Sequence, residues 1–150
     1  MSDLRRTPFY DLQAELGARF VPFAGWEMPV QYGSILQEHR SVRESAGLFD
    51  VSHMGELEVT GPDAGELMDT LITNNLAQLK DNRGLYTPMC YPTGGVVDDL
   101  VIYRMAIDCY FLCVNAANTA KDYTWICENR GQRDARVLDC SSEYALLALQ

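Results

Sequence analysis

The chain has 150 residues, of which 47% are hydrophobic and 22% are charged. This length suits one domain, or two small ones that share a core, and the composition argues against a disordered, collagen-like or coiled-coil protein. The 12 Lys and Arg residues against 21 Asp and Glu give a net charge of −9, which argues against a nucleic-acid-binding surface. No uncharged apolar run approaches the roughly 18 residues of a membrane span, and the N-terminus lacks the apolar core of a secretory signal.

The cysteines and histidines indicate the compartment. The five cysteines are odd in number and form no C-x-x-C motif, so we expect buried free thiols in a reducing cytoplasm rather than disulfides. The two histidines, His39 and His53, are too few and too far apart for a histidine-based metal cluster. The sequence therefore predicts a cytoplasmic protein without a metal site.

The first 50 residues are predicted to form helices and turns. Thr7-Pro8 has the pattern of a helix start, and Ser34 with Gln37 forms a capping box for a second helix. The apolar stripe of that second helix consists of Ile35, Leu36, His39, Val42 and Ala46. The aromatic segment 23–29 between the two helices is expected to pack down as a buried connection.

From Gly55 onward the pattern changes to strands separated by two helices. Leu57 and Val59 alternate with polar residues, which predicts a half-buried strand, and an amphipathic helix follows at 62–72. Further strands are predicted at 85–91, 96–105, 109–115, 135–140 and 144–149, with a second helix from Asn118 to about Arg130. Hairpin-length links between the middle strands favour an antiparallel sheet with helices packed on one face, an α+β fold.

The final run, residues 145–149, is nearly all apolar. Such a run is typical of a strand buried on both faces rather than of a frayed chain end. We therefore expect the chain to be the front part of a larger protein. We also expect this strand, if uncovered, to promote self-association.

Two adjacent carboxylates, Asp98 and Asp99, stand inside the apolar run 96–103. Because successive side chains of a strand point to opposite faces, the two cannot act together as an acid–base pair. Asp99 shares its face with Tyr103, and an aromatic ring beside a carboxylate is a plausible floor for a heterocycle that carries N–H donors. Perturbed carboxylates concentrate in functional sites, but the same pattern also describes a capping or salt-bridging acid in an ordinary amphipathic strand.

Six dispersed segments carry a resemblance to a known family. They are Arg6-Thr7-Pro8, 23–29, 47–55, 71–74, 94–100 and 114–118. In this order and at this spacing they resemble the N-terminal part of the glycine cleavage system T-protein family, the tetrahydrofolate-dependent aminomethyltransferases. That family is more than twice as long as this chain and builds three domains around a central folate channel. The resemblance implies a segment of the first domain at 1–53, a folate-binding α+β subdomain at 54–140, and at 141–150 a strand that returns to the first domain.

The resemblance also implies a site and a reaction. Asp99 matches the essential aspartate of the family, and the positions that match the lining of the folate pocket are Met54, Tyr86, Val101, Tyr103 and Asn115. The implied reaction moves a one-carbon unit from an aminomethyl group on the lipoyl arm of the H-protein to tetrahydrofolate and releases ammonia. Asp99 is expected to point into a folate-sized hollow, to hydrogen-bond the pterin, and to stabilise positive charge on the attacking nitrogen.

Two other interpretations stay open at this stage. Folate-dependent demethylases of methylated amines or sulfonium compounds share much of the pattern, as does a folate-binding protein linked to iron–sulfur assembly. Alternatively, the chain is a non-catalytic module that neither binds folate nor turns over. In the enzyme interpretation, Asp99→Asn abolishes turnover with little loss of stability, whereas Asp98→Asn has a mild effect.

Overall fold

The computed structural model describes residues 4–150, which form two compact units. The first unit comprises the described residues up to His53 together with Ala145–Gln150, and the second is Met54–Tyr144. The α-helices are α1 (Tyr10–Glu15), α2 (Ile35–Glu44), α3 (Ala64–Leu71) and α4 (Thr119–Asn129). The strands are β1 (Arg19–Phe23), β2 (Trp26–Gln31), β3 (Leu48–Asp50), β4 (Gly55–Thr60), β5 (Arg83–Cys90), β6 (Val96–Ala106), β7 (Cys109–Val114), β8 (Arg136–Asp139) and β9 (Leu147–Leu149). Packing places residues 141–144 with the second unit, while the functional division at positions 53 and 140 stays a prediction.

The aromatic segment 23–29 is a β-hairpin, so the prediction of a buried connection is wrong. β1 and β2 pair antiparallel, and Phe23 lies opposite Trp26. The two residues between them, Ala24 and Gly25, have φ values of 50° and 82°. Two consecutive positive φ angles characterise the type I′ turn of a two-residue hairpin. The sequence pattern hides this turn because alanine seldom adopts a left-handed conformation.

Helix α2 forms close to its predicted position but does not bury its apolar stripe. None of its residues is buried, and Ile35 and Leu36 are 56% and 72% exposed. The predicted capping box is also wrong, because the Ser34 side chain makes no capping hydrogen bond. Instead the Glu38 carboxylate accepts hydrogen bonds from the backbone N–H groups of Tyr32 and Gly33, at 3.0 and 2.8 Å.

The remaining elements of the first unit are α1 and the pair β3–β9. α1 begins at Tyr10, later than the Thr7-Pro8 pattern predicts, and the Thr7 hydroxyl donates instead to Asp50 at 2.6 Å. β3 and β9 pair antiparallel. Leu147 and Leu149 of β9 are 44% and 74% exposed, so the expected burial on both faces is not found among the described residues.

The second unit is a five-stranded sheet with the strand order β5-β6-β7-β4-β8, and every neighbouring pair is antiparallel. α3 contacts β7, and α4 contacts β4 and β8. Their packing buries a core in which the side chains of Leu57, Leu67, Met68, Ile102, Leu112 and Ile126 are fully inaccessible. The predicted α+β class and the antiparallel sheet are therefore confirmed, because the period-2 runs and the helical stripes turn their apolar faces to one core.

Two further features concern helices and thiols. None of the described helices combines the length and the apolar character needed to cross a membrane. All five cysteines are free: Cys140 is buried, and the other four are partly buried. The thiols are therefore free, but the predicted burial is found only for Cys140.

Candidate functional site

The sheet of the second unit brings four of the six candidate residues onto one face. Tyr86 of β5 pairs with Val101 of β6, while Asp99 and Tyr103 lie two residues on either side of Val101. Directly paired residues of antiparallel strands project from the same face, as do residues two apart along one strand. Tyr86, Asp99, Val101 and Tyr103 therefore share a face, which we call the Asp99 face.

Around Asp99, Tyr86 and Tyr103 the Asp99 face is open in the described part of the chain. Asp99 is exposed, and Tyr86 and Tyr103 are 63% and 40% exposed. Asp98, one residue earlier, is 4% exposed and lies on the side covered by the helices. The prediction that the adjacent carboxylates point to opposite faces is therefore confirmed.

The Asp99 carboxylate has a defined partner on this face. The Tyr86 hydroxyl donates to Asp99 Oδ2 at 2.7 Å across the β5–β6 pair. This hydrogen bond to Asp99, with smaller contributions from burial and from the charges of Asp99 and Asp98, raises the pKa of Tyr86. The tyrosine therefore stays a donor at neutral pH and holds one carboxylate oxygen, which leaves the other acceptor positions of the carboxylate toward solvent.

The ring of Tyr103 lies against the opposite strand. A Cβ atom placed on Gly84, which pairs with Tyr103, would meet the ring at 2.8 Å. The glycine thus lets the ring approach the backbone of β5. Together with Val101, the Tyr103 ring supplies an apolar and aromatic surface beside the carboxylate.

Asn115 and Met54 lie at the end of this face. Asn115 follows β7, and the β6–β7 register, continued past its last pair, sets it beside Asp99. The Asn115 side-chain Nδ2 donates to the backbone carbonyl of Asp99 at 2.9 Å and lies 3.5 Å from Asp99 Oδ1. Met54 directly precedes β4, whose register with β7 sets it beside Asn115. The structure thus gives Asp99 hydrogen bonds with Tyr86 and Asn115, and it shows no such bond for the other candidates.

The helix side of β6 holds a buried polar cluster that sequence reasoning missed. Asp98 accepts hydrogen bonds from the backbone N–H of Asn115 at 3.1 Å, from its Nδ2 at 3.0 Å, and from Nδ2 of Asn118 at 2.6 Å. Burial by itself would raise the pKa of Asp98, but hydrogen bonds from Asp122, Asn115 and Asn118 outweigh it and lower the pKa. Asp98 is therefore an ionised carboxylate within the core.

Asp122 of α4 completes this cluster. It is fully buried, and neither of its oxygens receives a hydrogen bond. Burial, followed by the hydrogen bond and the charge of Asp98, raises the pKa of Asp122 to about 8. At neutral pH the group is a carboxylic acid that donates to Asp98. The helical periodicity could have predicted the burial of Asp122, because this residue lies four positions before the inward-facing Ile126 and thus on the same side of α4.

Glu56 is a second buried acid, on the Asp99 face rather than beneath it. The sequence pattern assigned Glu56 to the polar side of β4, yet it is 1% exposed and neither carboxylate oxygen has a hydrogen-bond donor. It pairs with Cys113, which in turn pairs with Val101. Burial, with a smaller contribution from the charge of Asp139, raises the pKa of Glu56 to about 7.

The folate-sized hollow expected around Asp99 is not among the cavities found in residues 4–150. Two cavities of about 510 and 480 Å³ lie in the first unit, and both are lined by Tyr32, Leu48 and Asp50. No candidate residue lines either of them. The five-stranded sheet supplies a single wall at Asp99, and a sheet face alone encloses nothing.

Comparisons with known proteins agree with this architecture. The family model described as the GCVT N-terminal domain matches residues 9–150. The chain is 56% identical over 150 residues to an aminomethyltransferase of Symbiobacterium thermophilum, and the alignment covers 98% of this chain and 40% of that protein. It is 52% identical over 149 residues to an aminomethyltransferase of Lysinibacillus sphaericus, and this alignment covers 99% of this chain and 41% of the relative.

A solved structure extends the comparison to the fold. The crystal structure of glycine cleavage system aminomethyltransferase T from Bartonella henselae superposes with a TM-score of 0.93 at 36% identity. The match covers 99% of this chain and 41% of that one, so the chain spans about two fifths of the length of these relatives. The sequence and fold matches together show that the chain belongs to the GCVT N-terminal domain family, the family of the glycine cleavage system aminomethyltransferases.

Proposed function

We propose that this chain supplies the pterin-binding sheet face of a tetrahydrofolate-dependent aminomethyltransferase of the glycine cleavage system. The observation that carries the proposal is the Asp99 carboxylate, which stands on an open sheet face with Tyr86 holding one of its oxygens at 2.7 Å. Family membership supports the activity, and the position of Asp99 in the motif supports its role.

The residues on the Asp99 face suit a reduced pterin. A pterin is flat and presents adjacent N–H donors along one edge, so it calls for a carboxylate acceptor beside an apolar or aromatic surface. A carboxylate offers about four acceptor positions, of which the Tyr86 hydroxyl uses one. The ring of Tyr103 and the side chain of Val101 lie on the same face and supply the surface. The fit concerns one wall of the site only.

The proposed reaction has tetrahydrofolate as the accepting substrate. A one-carbon unit leaves an aminomethyl group on the lipoyl arm of the H-protein and becomes the methylene bridge of methylene-tetrahydrofolate, with ammonia and the free lipoyl thiol as the other products. Asp99 accepts hydrogen bonds from the pterin and places a negative charge near the nitrogen on which positive charge develops. Tyr86 keeps the Asp99 carboxylate in one orientation.

Binding is tested by titrating the isotopically labelled chain with tetrahydrofolate and following backbone amide signals by NMR. We expect binding weaker than micromolar, because only one wall is present, with shifts concentrated at Tyr86, Asp99 and Asn115. Asp99→Asn is expected to remove these shifts. Asp108→Asn is the matched control, since Asp108 is an exposed acid in the turn at the far end of β6. Shifts that are absent, or that fall on the cavities of the first unit, contradict the proposal.

Transfer is tested in a protein that extends this chain to the length of its relatives. Aminomethylated H-protein and tetrahydrofolate should yield methylene-tetrahydrofolate and ammonia, and Asp99→Asn should reduce the rate by about 100-fold or more, the typical loss when a transition-state charge loses its partner. Methylated amines serve as the competing substrates. Turnover of those amines without turnover of the H-protein would favour the demethylase interpretation instead.

A further inference from the structure

The Asp99 face is connected to the buried cluster beneath it through one side chain, Asn115. One amide group contacts both neighbouring carboxylate residues: Asn115 Nδ2 lies 3.0 Å from Asp98 Oδ1 and 2.9 Å from the backbone carbonyl of Asp99. An amide nitrogen carries two protons, and these two short contacts use both, while Asp99 Oδ1 lies farther away at 3.5 Å. The orientation of Asn115 is therefore set by Asp98 on one side and by the backbone of Asp99 on the other.

Asp98 is held in turn by the start of α4. Asn118, the residue before that helix, donates to Asp98 Oδ1 at 2.6 Å, and the buried Asp122 lies beside it on the first turns of α4. The backbone N–H of Asn115 supplies a further donor at 3.1 Å. Asp98 is thus the acceptor on which the end of β7 and the beginning of α4 converge.

We propose that Asp98 is a positioning residue for Asp99, which replaces the expectation that Asp98→Asn has only a mild effect. Asp98 fixes the Asn115 amide, Asn115 holds the backbone of Asp99, and the protonated Asp122 supports Asp98 by donating a hydrogen bond to it. The consequence for pterin binding rests on the proposed function. The connection from Asp98 through Asn115 to Asp99 is independent of that function, because it consists of hydrogen bonds within the chain itself.

The protonation of the cluster gives the proposal a distinctive signature. Four ionisable groups face the cluster or adjoin it: Asp98, Asp122, Asp99 and Lys121, whose Nζ donates to the backbone carbonyl of Val97. Up to neutral pH, Asp122 retains its proton because burial and the charge of Asp98 raise its pKa to about 8. Once that proton is lost, the negative charges of Asp98 and Asp122 lie together without a hydrogen bond between them. The Asn115 amide should then be held less firmly and exchange faster.

The test follows hydrogen exchange of the Asn115 side-chain amide by NMR in the unliganded chain. Rates are expressed relative to the exposed Asn82 side chain in the same sample, which cancels the intrinsic pH dependence. We expect Asn115 to exchange at least ten-fold more slowly than Asn82 at neutral pH. Asp98→Asn should remove most of this protection, whereas the exposed control Asp108→Asn should leave it unchanged.

Two substitutions of Asp122 separate a hydrogen-bond role from simple packing. Asp122→Asn keeps an N–H donor toward Asp98 and cannot ionise, so the protection of Asn115 should persist and should no longer decline above pH 8. Asp122→Leu keeps the branched shape of the side chain, although its methyl groups are larger than the carboxyl oxygens, and removes the donor, so the protection should fall. The proposal is overturned if Asp98→Asn leaves Asn115 protected, or if the Asn and Leu variants of Asp122 behave alike.

Each result bears on only one of the two proposals. If tetrahydrofolate does not bind but Asn115 still depends on Asp98, the proposed function fails and the positioning role stands. If tetrahydrofolate binds equally well to wild type and Asp98→Asn, and Asn115 stays protected, the positioning role fails and the proposed function stands. Should Asp98→Asn not fold, the two Asp122 variants still decide the matter.

Discussion

A buried acid without hydrogen-bond donors should make the stability of this protein depend on pH, and Glu56 is the clearest case. Its side chain is 1% exposed on β4, and neither carboxylate oxygen has a donor. The ionised form is therefore the unfavourable one in the folded state. Replacing Glu56 with Gln keeps the shape and removes the ionisation.

The magnitude follows from the pKa. Burial raises the pKa of Glu56 from 4.5 to about 7, so the unfolded chain loses this proton first and the folded chain retains it through the interval between. Stability falls as pH rises wherever the folded state binds more protons than the unfolded state. At about 1.4 kcal/mol per pH unit, the interval amounts to about 3 kcal/mol. Glu56→Gln should lack this loss, so the advantage of the variant should grow from pH 4.5 to pH 7.

The assay is urea unfolding of the wild type and Glu56→Gln across that interval, followed by circular dichroism. Glu128→Gln is the matched control, because Glu128 is exposed on α4. Asp122, whose pKa burial and Asp98 raise to about 8, should leave a residual slope that only the double variant with Asp122→Asn removes. Parallel pH profiles for the wild type and Glu56→Gln would refute the reasoning.

Four further substitutions have defined outcomes in thermal or urea unfolding. Asp98→Asn should cost about 2–4 kcal/mol, because the buried donors around Asp98 lose a charged acceptor, whereas the exposed Asp99→Asn should stay within about 0.5 kcal/mol. Gly61→Ala should destabilise by more than about 1 kcal/mol, since φ is +122° and the new Cβ would lie 2.5 Å from the carbonyl of Asp134. Ala24→Gly should stabilise by about 0.5–1 kcal/mol, because it relieves a φ of 50° in the hairpin turn. Equal losses for Asp98→Asn and Asp99→Asn, or a stable Gly61→Ala, would contradict these assignments.

The second unit could be predicted from sequence because its elements bury one face each against a common core. Leu57 and Val59 alternate with polar residues, and Ala64, Leu67, Met68 and Leu71 repeat at helical spacing; all are buried where the pattern places them. The same period-2 rule separated Asp98 from Asp99 without any structural knowledge. Periodicity succeeds where the packed partner belongs to the same unit.

The first unit and the buried acids were harder to predict, for two different physical reasons. The β1–β2 hairpin depends on a left-handed alanine, which no propensity favours. Periodicity describes which face of an element is apolar, but not whether the polar face is covered. Glu56 and Asp122 both lie on elements that were correctly predicted, and both are buried because neighbouring segments cover them. Tertiary packing alone contains that information.

The two adjacent aspartates of β6 thus have different roles: the buried Asp98 stabilises the structure, and the exposed Asp99 is available to a ligand. A carboxylate that must meet a ligand has to stay hydrated and keep acceptor positions free for new donors, yet a side chain that is mobile before binding pays an entropic penalty. Placing an ionised, fully hydrogen-bonded Asp98 directly beneath it anchors the backbone at Asp99 without enclosing its side chain. Because Asp98 makes the hydrogen bonds that stabilise this part of the fold, the exposed Asp99 can be substituted with little change in the free energy of unfolding. A loss of tetrahydrofolate binding in Asp99→Asn at unchanged stability, together with a clear loss of stability in Asp98→Asn, is the pattern that this division requires.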